Sequence, residues 1–291
     1  MTRTILLGTA GGPAPKAGRN APAQAVVVDG ATYVVDCGNG VARQLTLAGI
    51  PLDTVRAAFV THHHSDHNAD LGTLPLLAWA CNLEQAMHLY GPPPTREMIG
   101  HFLAMNRFDI DTRVADEGLQ RLDDLIEAHD VSQPGLVYED DRVRVTCVKV
   151  HHPPIACALA YRFDTADTSV VFSGDTAPND ALAQLAEGAD TLVHEAMHLP
   201  SVDTMVAMYN APTLRDHLLA SHTSAEDAGR IATRAGVRRL VLSHLVPSDV
   251  PVTDEQWLEC ARSTFDGEIV VGRDLLVLDP ASEAAERKPI S

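Results

Sequence analysis

Thr61-His62-His63-His64-Ser65-Asp66-His67 is the stretch on which the reading of this 291-residue chain turns. It follows the apolar run Val55 to Thr61, which reads as a buried strand. It precedes residues 71–81, which read as a helix with Pro75 in its first turn. On extended backbone, side chains two apart point the same way, so His62 and His64 converge while His63 points elsewhere. Asp66 and His67 lie at the turn into the helix and reach a second position alongside. Imidazole with carboxylate suits zinc, and such ligands also accept manganese or iron. Two ions need more donors than one segment supplies, because zinc takes about four ligands and a working site keeps one position for water. Three further places offer donors, each just past an apolar strand. They are His151 and His152 after 148–150, Asp175 after 170–174, and His244 after 240–243.

Working outward, Thr4–Leu7, Gln24–Val28 and Thr32–Val35 read as strands, the last two joined by a hairpin turn at Asp29-Gly30. Val41–Ala48 has helical spacing and stops at Gly49. Thr95–Phe108 reads as one helix, Leu119–Ala128 as strand or helix, and 91–135 as a cover over the site. Strands are expected at 136–138, 143–150, 156–163 and 169–172. Helix and strand then alternate: helices at 179–187, within 202–220, at 224–235 and at 253–264, with strands at 190–194, 238–242 and 268–278. Strand-rich stretches followed by strand–helix alternation, twice over, suggest an α/β fold, an αββα four-layer sandwich of two mixed β-sheets with helices outside. Residues 1–291 read as a single domain with a polar tail from about 280.

The bulk numbers narrow the function. There are 39 acidic and 22 basic residues, for a net charge of −17, and aromatics are 4%. Such a surface repels nucleic acid and anionic membranes, which bind through Lys and Arg clusters. Five cysteines without a C-x-x-C pair read as reduced thiols of a cytoplasmic protein. The first residues lack the length of apolar run that a signal peptide needs.

The motifs resemble those of the metallo-β-lactamase superfamily, and within it the ribonuclease Z branch and its arylsulfatase-like relatives. The matching pieces are GTAGGPAPKAGRN at 8–20, VVDCGNG at 34–40, THHHSDH at 61–67, FSGDT at 172–176, LVHEA at 192–196, SHTSAEDAG at 221–229 and LVLSHLVP at 240–247. The resemblance implies a metal-dependent hydrolase with two zinc ions per chain. His62, His64 and His152 would hold one ion, Asp66, His67 and His244 the other, and Asp175 would bridge them. His151 competes with His152, which stands nearer the Tyr161-Arg162 pair that follows this ligand in relatives. Asp66, Glu195 and His222 form the implied catalytic set. In it a hydroxide between the ions attacks, and His222, charged by Glu195, protonates the leaving group. Asp36 is expected to hydrogen-bond the histidine loop. Lys16, Arg19 and Asn20 are weaker candidates for meeting a substrate anion. Met197, Met205 and Met208 read as core.

The chain departs from ribonuclease Z where the bacterial enzyme inserts its transfer-RNA-binding arm, between the third histidine ligand and the bridging aspartate. Between His152 and Asp175 this sequence has only two strands. The expectation is therefore a small-molecule substrate, an anionic phosphodiester or sulfate ester, with no nucleic acid and no membrane as partner. A homodimer is plausible from the family. Two alternatives stay open: a lactonase, β-lactamase or carboxylesterase on the same metal site, and a non-catalytic metal-binding sensor.

Overall fold

The computed structural model describes residues 1–278. The tail expected from Pro280 lies outside the described residues. The strands are β1 (Thr2–Gly8), β2 (Ala23–Val28), β3 (Ala31–Val35), β4 (Val55–Phe59), β5 (Met87–Gly91), β6 (Ile126–Asp130), β7 (Gly135–Glu139), β8 (Val143–His152), β9 (Ile155–Thr165), β10 (Ser169–Phe172), β11 (Thr191–Met197), β12 (Arg239–Val246), β13 (Glu268–Val271) and β14 (Leu276–Leu278). The helices are α1 (Val41–Leu47), α2 (Ser65–Asn68), α3 (Thr73–Ala80), α4 (Thr95–Met105), α5 (Arg107–Glu117), α6 (Asp180–Leu185), α7 (Leu199–Val206), α8 (Leu214–Ser221), α9 (Ala225–Ala235) and α10 (Asp254–Arg262).

Two seven-stranded sheets form, ordered β14-β1-β2-β3-β4-β5-β6 and β13-β12-β11-β10-β9-β8-β7. Each is mixed. The β3–β4–β5–β6 and β10–β11–β12–β13 pairings are parallel, and the remainder antiparallel. Three apolar layers follow. Tyr33, Phe59, Tyr161, Phe163 and Phe172 fill the space between the sheets. Leu45, Leu74 and Ile99 cover the outside of the first sheet. Leu182, Ala228, Ala232 and Trp257 cover the outside of the second. With both faces covered, β3 and β12 are buried at every position, which is why their apolar residues come in runs, Tyr33–Val35 and Leu240–Leu242, rather than alternating. Asp29 and Gly30 both take positive φ (47° and 83°), as a two-residue hairpin turn requires.

The parallel strands matter most for function. Backbone leaving the carboxyl ends of β3, β4 and β10 carries Asp36, the histidine run and Asp175 to one edge of the sandwich, and His244, near the carboxyl end of β12, joins them there. Ligands of open α/β sheets collect at this edge.

The middle of the chain departs from expectation. The helix expected over Thr95–Phe108 is two helices, broken at Asn106, and α5 continues to Glu117. These helices do not cover the site. Ile99 and Ile110 are buried in the outer layer of the first sheet, with Leu103 and Val114 packed against it. Their spacing of three to four residues is the mark of a helix face seeking a core. The helix expected within 202–220 is likewise two, α7 and α8.

Phe59 is fully buried and meets Tyr90, Tyr138, Tyr161 and Phe163 at ring-centroid distances of 5.3–6.0 Å. Phe59→Ala should lower unfolding free energy by about 3–5 kcal/mol, read by urea denaturation. A loss under about 1 kcal/mol would show that the inter-sheet layer repacks freely.

Candidate metal centre

The histidine run leaves β4 extended, and His64 stands as the residue before α2 with φ −76° and ψ 149°. His62 Nε2 and His152 Nε2 lie 3.0 and 3.1 Å from His64 Nδ1. Three imidazole nitrogens thus converge on one point. His63 turns away, bonding Pro92 O at 2.7 Å and Thr95 Oγ1 at 3.1 Å. His152 is buried at the end of β8, whereas its neighbour His151 is exposed. A second group forms beside the first: Asp66, His67 and His244 bring donor atoms within 4.8 Å of one another. Asp175 stands between the groups. Its Oδ2 is 3.8 Å from His62 Nε2, 4.0 Å from His152 Nε2 and 3.2 Å from His244 Nε2, and its Oδ1 is 3.4 Å from His67 Nε2.

Local backbone devices aim these groups. The β11–β12 ladder pairs Glu195 with Ser243 and Ala196 with Leu245, so His244 is the extra residue of a bulge, with φ 42°. A bulge bends its strand and redirects one side chain. Gly174, at φ 59°, turns the chain before Asp175, and a Cβ there would stand 2.8 Å from Thr61 Cβ and 2.9 Å from Leu159 O. Only glycine combines that φ with so close an approach.

The far nitrogens are also held. The Asp36 carboxylate accepts from Thr61 N at 2.8 Å, from Thr61 Oγ1 at 3.0 Å and from His67 Nδ1 at 2.7 Å. His152 Nδ1 meets the Ser221 carbonyl at 2.9 Å. Such partners fix the tautomer and leave Nε2 as the donor atom.

The charges suit cations. Burial drives His62 well below its usual pKa, and burial drives His152 down to about 4; both imidazoles stay neutral, as ligation requires. Burial alone would lift Asp66, but the neighbouring imidazoles of His244, 3.5 Å from its Oδ2, and of His67 bring it down to about 2. Four buried atoms of the cluster, His67 Nε2, Asp175 Oδ1, His244 Nδ1 and His244 Nε2, have no hydrogen-bond partner. Buried polar atoms without partners are costly. Two groups of imidazoles and carboxylates with orphaned polar atoms fit a pair of divalent ions.

Glu195 and His222 meet at the same edge. His222 Nδ1 is 2.7 Å from Glu195 Oε2, and Glu195 Oε1 accepts from Thr176 N at 2.6 Å. Burial alone would lower His222, but the Glu195 charge and hydrogen bond raise it to about 9. Helix α9 is capped by Ser224, which accepts from Asp227 N at 3.0 Å, so His222 is not needed as a cap. His222 shares a cavity with His64, Asp66, Asp175 and His244. That cavity, about 1030 Å³ including its open mouth, is walled by 11–14, by Lys16 and by Met205, Tyr209, Leu214 and Leu218. No residue of 91–135 lines it.

The weaker candidates divide. Lys16 is the only lysine or arginine on the cavity wall among the described residues, and its Nζ pairs with Asp249 at 2.9 Å. Arg19 instead bonds Thr9 and the Gly272 carbonyl, and Asn20 bonds Asn39 O, so both hold the first loop together. Met197 and Met205 are buried, and Met208 is 61% exposed. The sequence reading missed Ser221 and Thr176 as partners of His152 and Glu195, for a backbone carbonyl or N–H leaves no mark on residue type. All five cysteines are free, and no described helix is long and apolar enough to cross a membrane.

A family model described as a β-lactamase superfamily domain matches residues 31–245. Ribonuclease Z of Mycobacterium sp. (strain KMS) is 36% identical over 278 residues, 94% of this chain and 95% of the relative. Ribonuclease Z of Mycolicibacterium gilvum is 34% identical over the same shares. Among solved structures, human tRNase Z, short form, superposes with TM-score 0.70 at 19% identity, over 96% of this chain and 98% of that one. The metallo-β-lactamase fold protein YhfI of Bacillus subtilis gives 0.69 at 22% identity, over 95% and 98%. Zinc-bound PqqB of Methylobacterium extorquens gives 0.64 at 16%, over 95% and 99%.

These relatives overturn the expectation of a small-molecule substrate with no nucleic acid as partner. Proteins named for action on RNA match this chain along almost their whole length, so the absence of an arm between His152 and Asp175 does not separate it from them. Net charge misled for a physical reason: it sums the whole surface. Asp109, Asp111, Asp116, Glu117, Asp123 and Asp124 lie within or just after α5, and none lines the cavity.

Asp36→Ala should weaken metal binding about 10–100-fold, read by competition with a chromophoric chelator. Unchanged affinity would mean that the histidine loop holds its shape without this carboxylate.

Proposed function

This chain belongs to the β-lactamase superfamily, and from that membership and the geometry of the site we propose that it is a two-zinc phosphodiesterase whose substrate is RNA. Residues 1–278 act as one hydrolase domain in this reading. His62, His64 and His152 would hold one ion and Asp66, His67 and His244 the other, with Asp175 placed to serve both. The observation that carries the proposal is that His222, ion-paired with Glu195, faces the same cavity as the metal-type cluster. The leaving group of an RNA phosphodiester is a sugar alkoxide, which departs poorly without a proton. The names of the relatives supply the RNA.

Divalent ions bound here would supply Lewis acidity toward phosphoryl oxygens and make water acidic enough to attack near neutral pH. The chain's own residues do the rest. Asp36 and the Ser221 carbonyl keep Nε2 of His67 and His152 free to ligate. Glu195 holds the proton on His222 Nδ1 and favours the imidazolium, so Nε2 carries the proton that the leaving oxygen takes. Both sit buried, where a charge pair is stronger than in water.

Zinc-quantified protein should cleave a transfer-RNA precursor and lose that activity in Asp175→Ala. Turnover of a lactone or β-lactam with none on RNA would reject the proposal. His222→Ala should slow RNA cleavage by about 10²–10⁴-fold, the span of general acid catalysis, while sparing nitrophenyl phosphodiesters, whose leaving group needs no proton. Equal losses on both would remove the acid role. The His222 proton is present below its raised pKa and lost above it. Glu195→Gln should therefore move the alkaline limb of the RNA rate profile to lower pH, and an unmoved limb would contradict the pairing.

A further inference from the structure

His88, Glu127 and His129 are far from the candidate centre in sequence and carry no role in it. The parallel pairing of β5 with β6 sets His88 opposite Glu127 and Tyr90 opposite His129. With a side-chain period of two, all four rise from one face of the sheet. His88 Nδ1 lies 3.4 Å from His129 Nε2 and 3.5 Å from Glu127 Oε2, and His129 Nε2 lies 4.0 Å from the same oxygen. The three donor atoms form a compact triangle. Ligands around a tetrahedral zinc ion, each at about 2.0–2.2 Å, stand roughly 3.3–3.6 Å from one another, so the triangle needs little adjustment to close on an ion.

The imidazoles are braced on their apolar sides. Tyr90 stacks on His129 with centroids 4.4 Å apart and planes 13° apart, and Tyr138 of β7 packs 6.0 Å from the His88 ring. The donors still reach solvent, with the side chains of His88, Glu127 and His129 exposed by 28, 56 and 37%. Strands β6 and β7 are the terminal strands of the two sheets, so the triangle stands where the sandwich opens at its rim. A hydrogen bond explains the His88–His129 approach alone. It does not explain why a carboxylate oxygen completes a triangle with both nitrogens.

We infer that His88, Glu127 and His129 form a separate site for one divalent ion of the zinc class, with three protein ligands and the fourth position open to water. Ions of this class accept imidazole and carboxylate together. Bound there, the ion ties β5 to the edge strand β6 and adds stability in proportion to its occupancy. The site shares no residue with the candidate centre, so its fate is separable from that of the proposed activity.

The test is zinc content per chain after equilibration with zinc ion and removal of excess, for the intact protein and for His88→Ala/His129→Ala. One ion fewer in the variant, with RNA cleavage unchanged, is the expected result, and equal contents overturn the inference. Asp175→Ala distinguishes the two centres, since its losses must leave the rim ion in place. Glu127→Gln guards against misfolding. Its metal-free circular dichroism and melting should match those of the parent, while zinc ion should raise its melting temperature less. A rise as large as that of the intact protein also overturns the inference.

Discussion

One buried carboxylate underlies the arrangement of the active edge. Asp36, at φ 59° just past β3, accepts from the backbone N–H and hydroxyl of Thr61 and from His67 Nδ1. The first two bonds fix where the chain leaves β4, and the third selects the His67 tautomer. Two neighbouring parallel strands, β3 and β4, are thereby joined beyond the end of their ladder, where the backbone has no sheet partner left to hold it. The remaining ligands arrive from strands of the other sheet, so the inter-sheet layer around Phe59 and Tyr161 sets the distance between the halves. Tyr161 makes the link direct, its hydroxyl donating to Val60 O at 2.9 Å beside the histidine run.

The edge carries local costs that the sandwich tolerates. His244 sits in a bulge at positive φ, and the cluster leaves four buried polar atoms without hydrogen-bond partners. Strain and unmet polar groups gathered in one place mark function rather than stability. Cations held here would meet most of the orphaned atoms and would couple metal binding to folding. The same edge offers His222, held by Glu195, to the cavity.

Much of this was legible in the sequence, for identifiable reasons. The candidate ligand residues each stand at or just past the end of an apolar run, and strands covered on both faces announce themselves by such runs. Asp36 and its loop partners could be anticipated because the carboxylate directly follows a strand. The two-helix middle was not legible: one helical period runs through Thr95–Phe108, and the break at Asn106 carries no proline or glycine. The role of 91–135 was misread because cavity walls are set by tertiary packing. The bulge at His244 is a property of register between β11 and β12, which neither strand reveals alone. The His88–Glu127–His129 triangle was invisible for the same reason: strand pairing assembles it. The substrate was misjudged because net charge sums the whole surface and does not identify what meets one edge of it.

Anomalous scattering at the zinc edge, from crystals of the zinc-loaded protein, tests the central claim most directly. The account predicts two strong peaks at the sandwich edge, one among His62, His64 and His152 and one among Asp66, His67 and His244. The peaks should stand about 3.5–4 Å apart with Asp175 touching both. A single peak, or zinc absent from one group of ligands, would contradict the two-ion centre from which the chemistry is argued.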